Sequence, residues 1–579
     1  MLPKTVSSRL LAAALAAPVV TLAAPPDFGP NVHVLDPATP GLQQRIDAIY
    51  AAQQPNHFGP RRDAILLKPG TYDGVRVPVG FYTQVLGLGA HPDDVHVIGD
   101  LRSTALLDND NATTNFWRGA ENFSVTPTLG IGMDGGKHTM QWAVSQAIPF
   151  RRMHVRGNIR LNQKQGWASG GWFADVLVDG QVNSATQQQW ISRNSEWGSW
   201  TGSNWNMVFV GVPQAPAGDF PKPGARFTRV DRTPLVREKP WLFIDKHGGY
   251  AVRVPALRRD GAGVSWKAGM APGKTLPIAR FHIAKPGDTA AVLNAQLAAG
   301  KHLLFTPGEY LLTQPLQVRR PGTVVLGLGF PTLRSDNGQP LMKTADVDGL
   351  TISGLFFDAG RDDAGVLMEV GPPGASARHR ADPTVLHDVF FRIGGAAPGR
   401  VHTALRINAH DTLVDHTWVW RADHGEGVGW ATNPSAHGLV VDGEDVTIYG
   451  LFVEHFQQEQ VLWRGNGGRV FFYQSELPYD PPTQADWTGP TGRGFAAYKV
   501  ADTVTRHEAW GLGIYSVFLQ PDVRLDRAIE VPARPGVKLH HMITVCLVDK
   551  GSIERIANDL GEPARCQGGP NTATLNEAP

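Results

Sequence analysis

Ile65-Leu66-Leu67-Lys68-Pro69-Gly70-Thr71-Tyr72 returns later in the chain as Leu303-Leu304-Phe305-Thr306-Pro307-Gly308-Glu309-Tyr310. Each copy is followed by the same strand and turn, Val85-Leu86-Gly87-Leu88-Gly89 and Val325-Leu326-Gly327-Leu328-Gly329. Each is preceded by a helix-like stretch, Gly41 to Gln53 and Asp288 to Ala299. In the second, Asp288 or Thr289 can cap the first turn. A unit repeated in this order means a duplicated architecture rather than one large core.

Beyond the repeat, short apolar strands are punctuated by Gly, Asn and Asp. Leu350 to Asp358, Val446 to Val453 and Gly468 to Gln474 are examples. They recur about every 20–25 residues, the interval of a solenoid coil rather than of hairpins. The pattern predicts an all-β protein of two tandem parallel β-helix domains; a β-sandwich is the competing reading. The Pro- and Gly-rich run Val212 to Gly224 reads as an exposed connection, and Arg237 to Leu257 as strand-rich. The boundary is expected near 270, giving a first β-helix over 25–270 and a second over 271–579.

Composition narrows the function classes. The 579 residues are 42% hydrophobic and 18% charged, with 54 basic against 53 acidic groups. So balanced a charge offers no field for nucleic acid or an anionic membrane. Lys4 and Arg9 flank an apolar run from Leu10 to Ala24, and Ala23-Ala24 suits a cleavage site. This predicts an export signal over 1–24 and a secreted or periplasmic product, free of the membrane after signal removal. Export permits a bridge between Cys546 and Cys566, and two free thiols are the other reading. Neither cysteine belongs to a histidine cluster, so no metal site is expected.

Thirteen of the 16 tryptophans lie in two windows, Trp117 to Trp205 and Trp418 to Trp487. Aromatic faces stack on sugar rings, so the windows suggest a saccharide cleft, against plain core packing for each residue taken singly. Cleaving a glycosidic bond calls for a protonated carboxyl beside the leaving oxygen. Among the carboxylates of the second window, Glu454 and Glu476 each end an apolar strand and stand 22 residues apart, near one coil. Equivalent positions on adjacent coils stack about 4.8 Å apart. Two carboxyls so close and partly buried raise one pKa, as a general acid at neutral pH requires.

These residues also carry a resemblance. Trp418-Val419-Trp420-Arg421-Ala422-Asp423-His424, Glu454-His455 and Ser475-Glu476-Leu477-Pro478-Tyr479 resemble glycoside hydrolase family 55. So do Gln141 to Ala147, Ser169-Gly170-Gly171-Trp172, Gln188 to Asn194 and Asn204-Trp205-Asn206 in the first half. The resemblance runs in order over most of the mature chain. It implies two right-handed, pectate-lyase-like β-helices packed side by side, and an inverting exo-β-1,3-glucanase that releases glucose from laminarin-like chains. It implies no cofactor and a monomer acting on polysaccharide. Glu476 would be the general acid and Glu454 the second essential carboxylate. Gln146 and Ser169 would hold the attacking water, with Gln141 in the first place if the match shifts by a short insertion. Asp423, Trp420 and Tyr479 would bind the terminal glucosyl unit. The sequence departs from the fungal pattern at Ser475 and Leu477 and at Val453, beside the two glutamates.

Two other functions fit a β-helix. A lyase on acidic polysaccharide needs Ca²⁺ or clustered cations to neutralise uronates, which the balanced charge does not favour. A non-catalytic wall-binding protein would keep the aromatics and dispense with both glutamates.

Overall fold

The computed structural model describes residues 25–579; the expected export signal, 1–24, lies outside them. Short strands coil into two parallel β-helices. In the first, Val32–Leu35, Asp63–Leu67, Thr83–Gly87, Arg118–Glu121, Phe150–Arg151, Trp172–Ala174, Gln189–Arg193, Asn206–Val210 and Phe227–Val230 lie side by side in one sheet. Every pairing in it is parallel. The second runs from Phe281–Ala284 through Val385–Ile393, Leu413–Arg421, Thr447–Glu454 and Gly468–Glu476 to Val537–Cys546. The antiparallel strand Thr572–Ala578 closes its end. Parallel pairing rules out the hairpin sandwich, since successive strands must be joined by full coils.

Two α-helices occur among the described residues, Leu42–Gln53 and Ala290–Ala298, one at the start of each stack. The Thr289 hydroxyl accepts from Val292 N–H and caps the second. Asp288, the alternative cap, accepts from the Lys285 N–H and pairs with His282 instead. Between the stacks, Trp241–Ile244, Tyr250–Pro255 and Gly273–Pro277 form an antiparallel sheet. Cys546 and Cys566 are bonded, tying the last parallel strand to the C-terminal loop.

Coil length varies more than the expected 20–25 residues. The register advances by 17 from Gln189 to Asn206 and by 39 from Gly468 to His507. Strand pairing fixes only the rungs, so a coil can lengthen at its turns without disturbing the core.

Each stack encloses an apolar core, and the first core continues across the seam onto Phe356, Phe390, Tyr449, Phe452 and Phe471 of the second. On the seam the long strands bend at a stacked left-handed position: His416 (φ 75°), Gly450 (φ 65°), Phe472 (φ 71°) and Gly511 (φ 65°). Glycine stands where the stacks meet most closely. A Cβ on Gly450 would lie 2.7 Å from the ring of Trp172. That ring is buried and stacked on His416 at 5.0 Å, so it has no room to retreat. Gly450→Ala is therefore expected to cost about 1–3 kcal/mol by overpacking. A denaturant midpoint equal to the parent's would contradict this account of the seam.

Candidate active site

The longest coils deliver residues to one place. The coil from Thr83 to Arg118 carries Thr113, Thr114 and Phe116; that from Leu413 to Thr447 carries Asp423 and His424; that from Gly468 to His507 carries Glu476 and Tyr479. With Gln146, Ser169, Trp418, Trp420, Glu454 and His455 they line a cavity of about 230 Å³ at the seam. All seven residues singled out from the sequence are among its walls: Gln146 and Ser169 from the first stack, Trp420, Asp423, Glu454, Glu476 and Tyr479 from the second.

The two glutamates meet as their spacing implies. Thr447–Glu454 pairs with Gly468–Glu476 at a constant offset of 22, as in Phe452 to Gln474. The next main-chain bond, His455 N–H to the Glu476 carbonyl at 2.8 Å, carries the alignment onto the glutamates. Burial, then the charge of Glu476, pushes the Glu454 carboxyl well above the usual range. Burial pushes Glu476 up as well. Two buried carboxyls on neighbouring coils therefore compete for a shared proton, which the pair holds to higher pH than an isolated glutamate would.

Their hydrogen bonds differ. Glu454 accepts from Gln146 Nε2 at 2.9 Å on one oxygen and from Trp418 Nε1 at 2.8 Å on the other. Donors on both oxygens favour its ionised form. Glu476 accepts from the Tyr479 hydroxyl through Oε2 alone. Burial, then the charge of Glu476, raises the Tyr479 phenol well above its ordinary value, so it stays a donor. The shared proton is thus best carried by Glu476 on its other oxygen. Burial opposes ionisation of Asp423, but the hydrogen bond with His424 and the imidazoles of His455 and His424 outweigh it and bring the carboxyl to about 2. Asp423 is an anion at any working pH.

His455 fastens the Glu476 segment. Its Nδ1 donates to the Leu477 carbonyl at 3.0 Å, and its ring packs edge-on against Tyr479 at 4.4 Å. Nε2 faces Asp423 Oδ1 at 3.8 Å. Arg421 holds the same loop by gripping Asp480 with two bonds of 2.9 Å.

Gln141 is not in the cavity. Its amide donates to the Ser103 carbonyl and to Gln163, which leaves Gln146 as the glutamine of that segment on the cavity wall. The tryptophan windows divide as well. Trp418 and Trp420, almost wholly buried themselves, stack at 4.9 Å on the cavity wall, whereas Trp117, Trp142, Trp172, Trp190, Trp463 and Trp487 lie in the core away from it. Trp418, His424, His455, Phe116 and Gln188 also line the site and were not assigned from sequence. For Trp418 a signal existed: two residues from Trp420 on one strand, it must share its face. Among the described residues no group of three or more His, Cys, Asp or Glu is arranged to hold a metal ion.

The family model for the LAM55 pectate lyase-like domain matches residues 281–476, the stretch from the opening strand of the second stack to Glu476. An exo-beta-1,3-glucanase from Streptomyces sp. (strain SirexAA-E / ActE) is 48% identical over 539 residues, covering 93% of this chain and 87% of its own. The structure of sacteLam55A from Streptomyces sp. SirexAA-E superposes with a TM-score of 0.92 at 46% identity, over 96% of this chain and 99% of that one. A Glu-to-Ala variant of sacteLam55A in complex with glucose matches equally well. With this coverage and the composite cavity between two β-helices, the chain belongs to glycoside hydrolase family 55.

Proposed function

We propose that this protein is an exported, monomeric, inverting exo-β-1,3-glucanase that removes single glucose units from laminarin-like chains without a cofactor. The carrying observation is the pairing of Glu454 and Glu476 on adjacent coils, faced across the seam by Gln146 and Ser169. A cavity of about 230 Å³ has room for one pyranose ring, which suits attack at a chain end. The domains act as two units, 25–270 supplying the water side and 271–579 the acid side.

Glu476 is the general acid. Trp420 offers an apolar wall to the terminal sugar, Asp423 an anionic acceptor for its hydroxyls, and Tyr479 both a wall and a hydrogen bond to the acid. Gln146 and Ser169 hold the attacking water. Its oxygen bonds to the anomeric carbon while the bond from that carbon to the glycosidic oxygen breaks. That oxygen takes the Glu476 proton. One water proton passes to Gln146 Oε1 as Gln146 gives its Nε2 proton to Glu454, so the charge moves from Glu454 to Glu476. Attack from the far side inverts the anomeric centre.

The test is product analysis on laminarin with the first-formed anomer followed by NMR. Glucose released initially as the α-anomer is expected. A ladder of oligosaccharides would exclude exo attack, and initial β-glucose would exclude inversion.

A further inference from the structure

Ser145 lies behind Ser169, fully buried and outside the cavity wall. Its Oγ donates to the Ala112 carbonyl at 2.8 Å. A carbonyl can only accept, so the Ser145 proton is committed there. The Ser169 N–H, which can only donate, reaches the same Oγ at 3.1 Å. Ser169 Oγ is 3.0 Å from Ser145 Oγ, and with that proton already placed the bond runs from Ser169 to Ser145. The other acceptor in reach of the Ser169 hydroxyl, Gln146 Oε1, is farther at 3.4 Å. The Ser169 proton therefore points away from the cavity and its lone pairs towards it.

Gln146 is polarised in the same sense. Its Nε2 is fixed on Glu454 at 2.9 Å, so its other amide atom, the acceptor Oε1, is turned to the Ser169 side. Two acceptors then converge where the first stack faces the sugar. A water held by both its protons has its own lone pair free for the anomeric carbon. Had Ser169 donated instead, it would have tied up one of the water's two lone pairs and left its oxygen the poorer nucleophile.

The geometry points to Ser145 as a positioning residue: it anchors the Ser169 hydroxyl so that Ser169 and Gln146 form a matched pair of acceptors for the attacking water. The inference rests on the reading that Ser169 and Gln146 hold that water. It adds a residue that touches neither substrate nor water.

A double-mutant cycle on the full-length enzyme with laminarin tests it. Ser145→Ala is expected to lower kcat by about 10- to 100-fold, a loss typical of a misaligned reactant, with KM within about twofold. In the Ser169→Ala background the same substitution is expected to cost less than about twofold, because the hydroxyl it anchors is gone. Ser145→Cys leaves no cavity and weakens the acceptor, together with the bond donated to Ala112. It is expected to show the same split where the alanine variant proves unstable. A loss of equal size in both backgrounds, or one confined to KM, would assign Ser145 a packing role and overturn the inference. Full activity of Ser169→Ala alone would instead overturn the underlying reading of the water site.

Discussion

Replacing Glu476 by glutamine is expected to leave the fold unchanged and to lower laminarin hydrolysis by about 10²–10⁴-fold or more. Glutamine keeps the shape and can still accept from Tyr479, but it has no proton to give the leaving oxygen. The neighbouring glutamate cannot substitute. Both Glu454 oxygens already accept from N–H donors, so protonating it opposes Gln146 and Trp418 at once. The pH dependence has a definite sign. Burial raises the Glu476 pKa, and a general acid in the proposed mechanism works in its protonated form. Activity is lost as pH rises through that raised value, and it falls again in acid once Glu454, the proton acceptor, is itself protonated. The alkaline limb of kcat/KM should thus lie above the ~4.3 of an ordinary glutamate. Asp423, at about 2, contributes no limb in that range. Near-parental turnover by a folded Glu476→Gln enzyme would remove Glu476 from the mechanism.

The carboxyl pair was legible in the sequence because a β-helix turns spacing into distance: an offset of 22 residues is one coil, and one coil is one strand spacing. The duplication was legible for the same reason, since each stack begins with the same helix and Pro-Gly turn. Coil length was not, because an insertion at a turn leaves the rung pattern intact while moving a loop to the cavity. His455 illustrates a second limit. It adopts φ 68° and is almost fully buried, a backbone state that no apolar pattern announces. Gln146 needed the family resemblance, as a lone glutamine in a loop has no periodicity. The seam was the least visible feature. Its charges are scattered over some 260 residues of sequence, and each one read singly suits a solvated surface.

That seam supports the second large effect: Asp415→Asn is expected to destabilise the protein by about 3–5 kcal/mol. Asp415 is buried between the stacks and accepts from Arg151 at 2.7 Å and from Arg193 at 2.8 and 3.0 Å. Arg151 also grips Asp388, Arg193 grips Glu238, Lys239 bridges Asp388 and Glu121, and Arg258 completes Glu238. Four cations thus meet four carboxylates. The neutral amide leaves one positive charge unmatched in a buried region, and leaving a buried charge uncompensated costs more than an exposed pair gains. The loss should persist in high salt, since buried pairs are poorly screened. Acid should mimic it. Burial raises the Asp388 carboxyl, but Arg151 and Lys239 outweigh that and hold it well below its ordinary value. Its stabilisation is therefore complete above the unfolded pKa of ~3.9 and is lost as pH falls below that towards the depressed folded value. Denaturant unfolding of both proteins at neutral and acid pH measures this, and both should lose stability in acid as Asp388 is protonated. Activity should fall as well, below the unfolding temperature, because Gln146 and Glu454 reach the cavity from opposite sides of the seam. A displacement of about 1 Å between water and acid costs on the order of 100-fold in rate. An Asp415→Asn enzyme with parental stability and turnover would mean that the apolar part of the seam alone holds the two halves of the site in register.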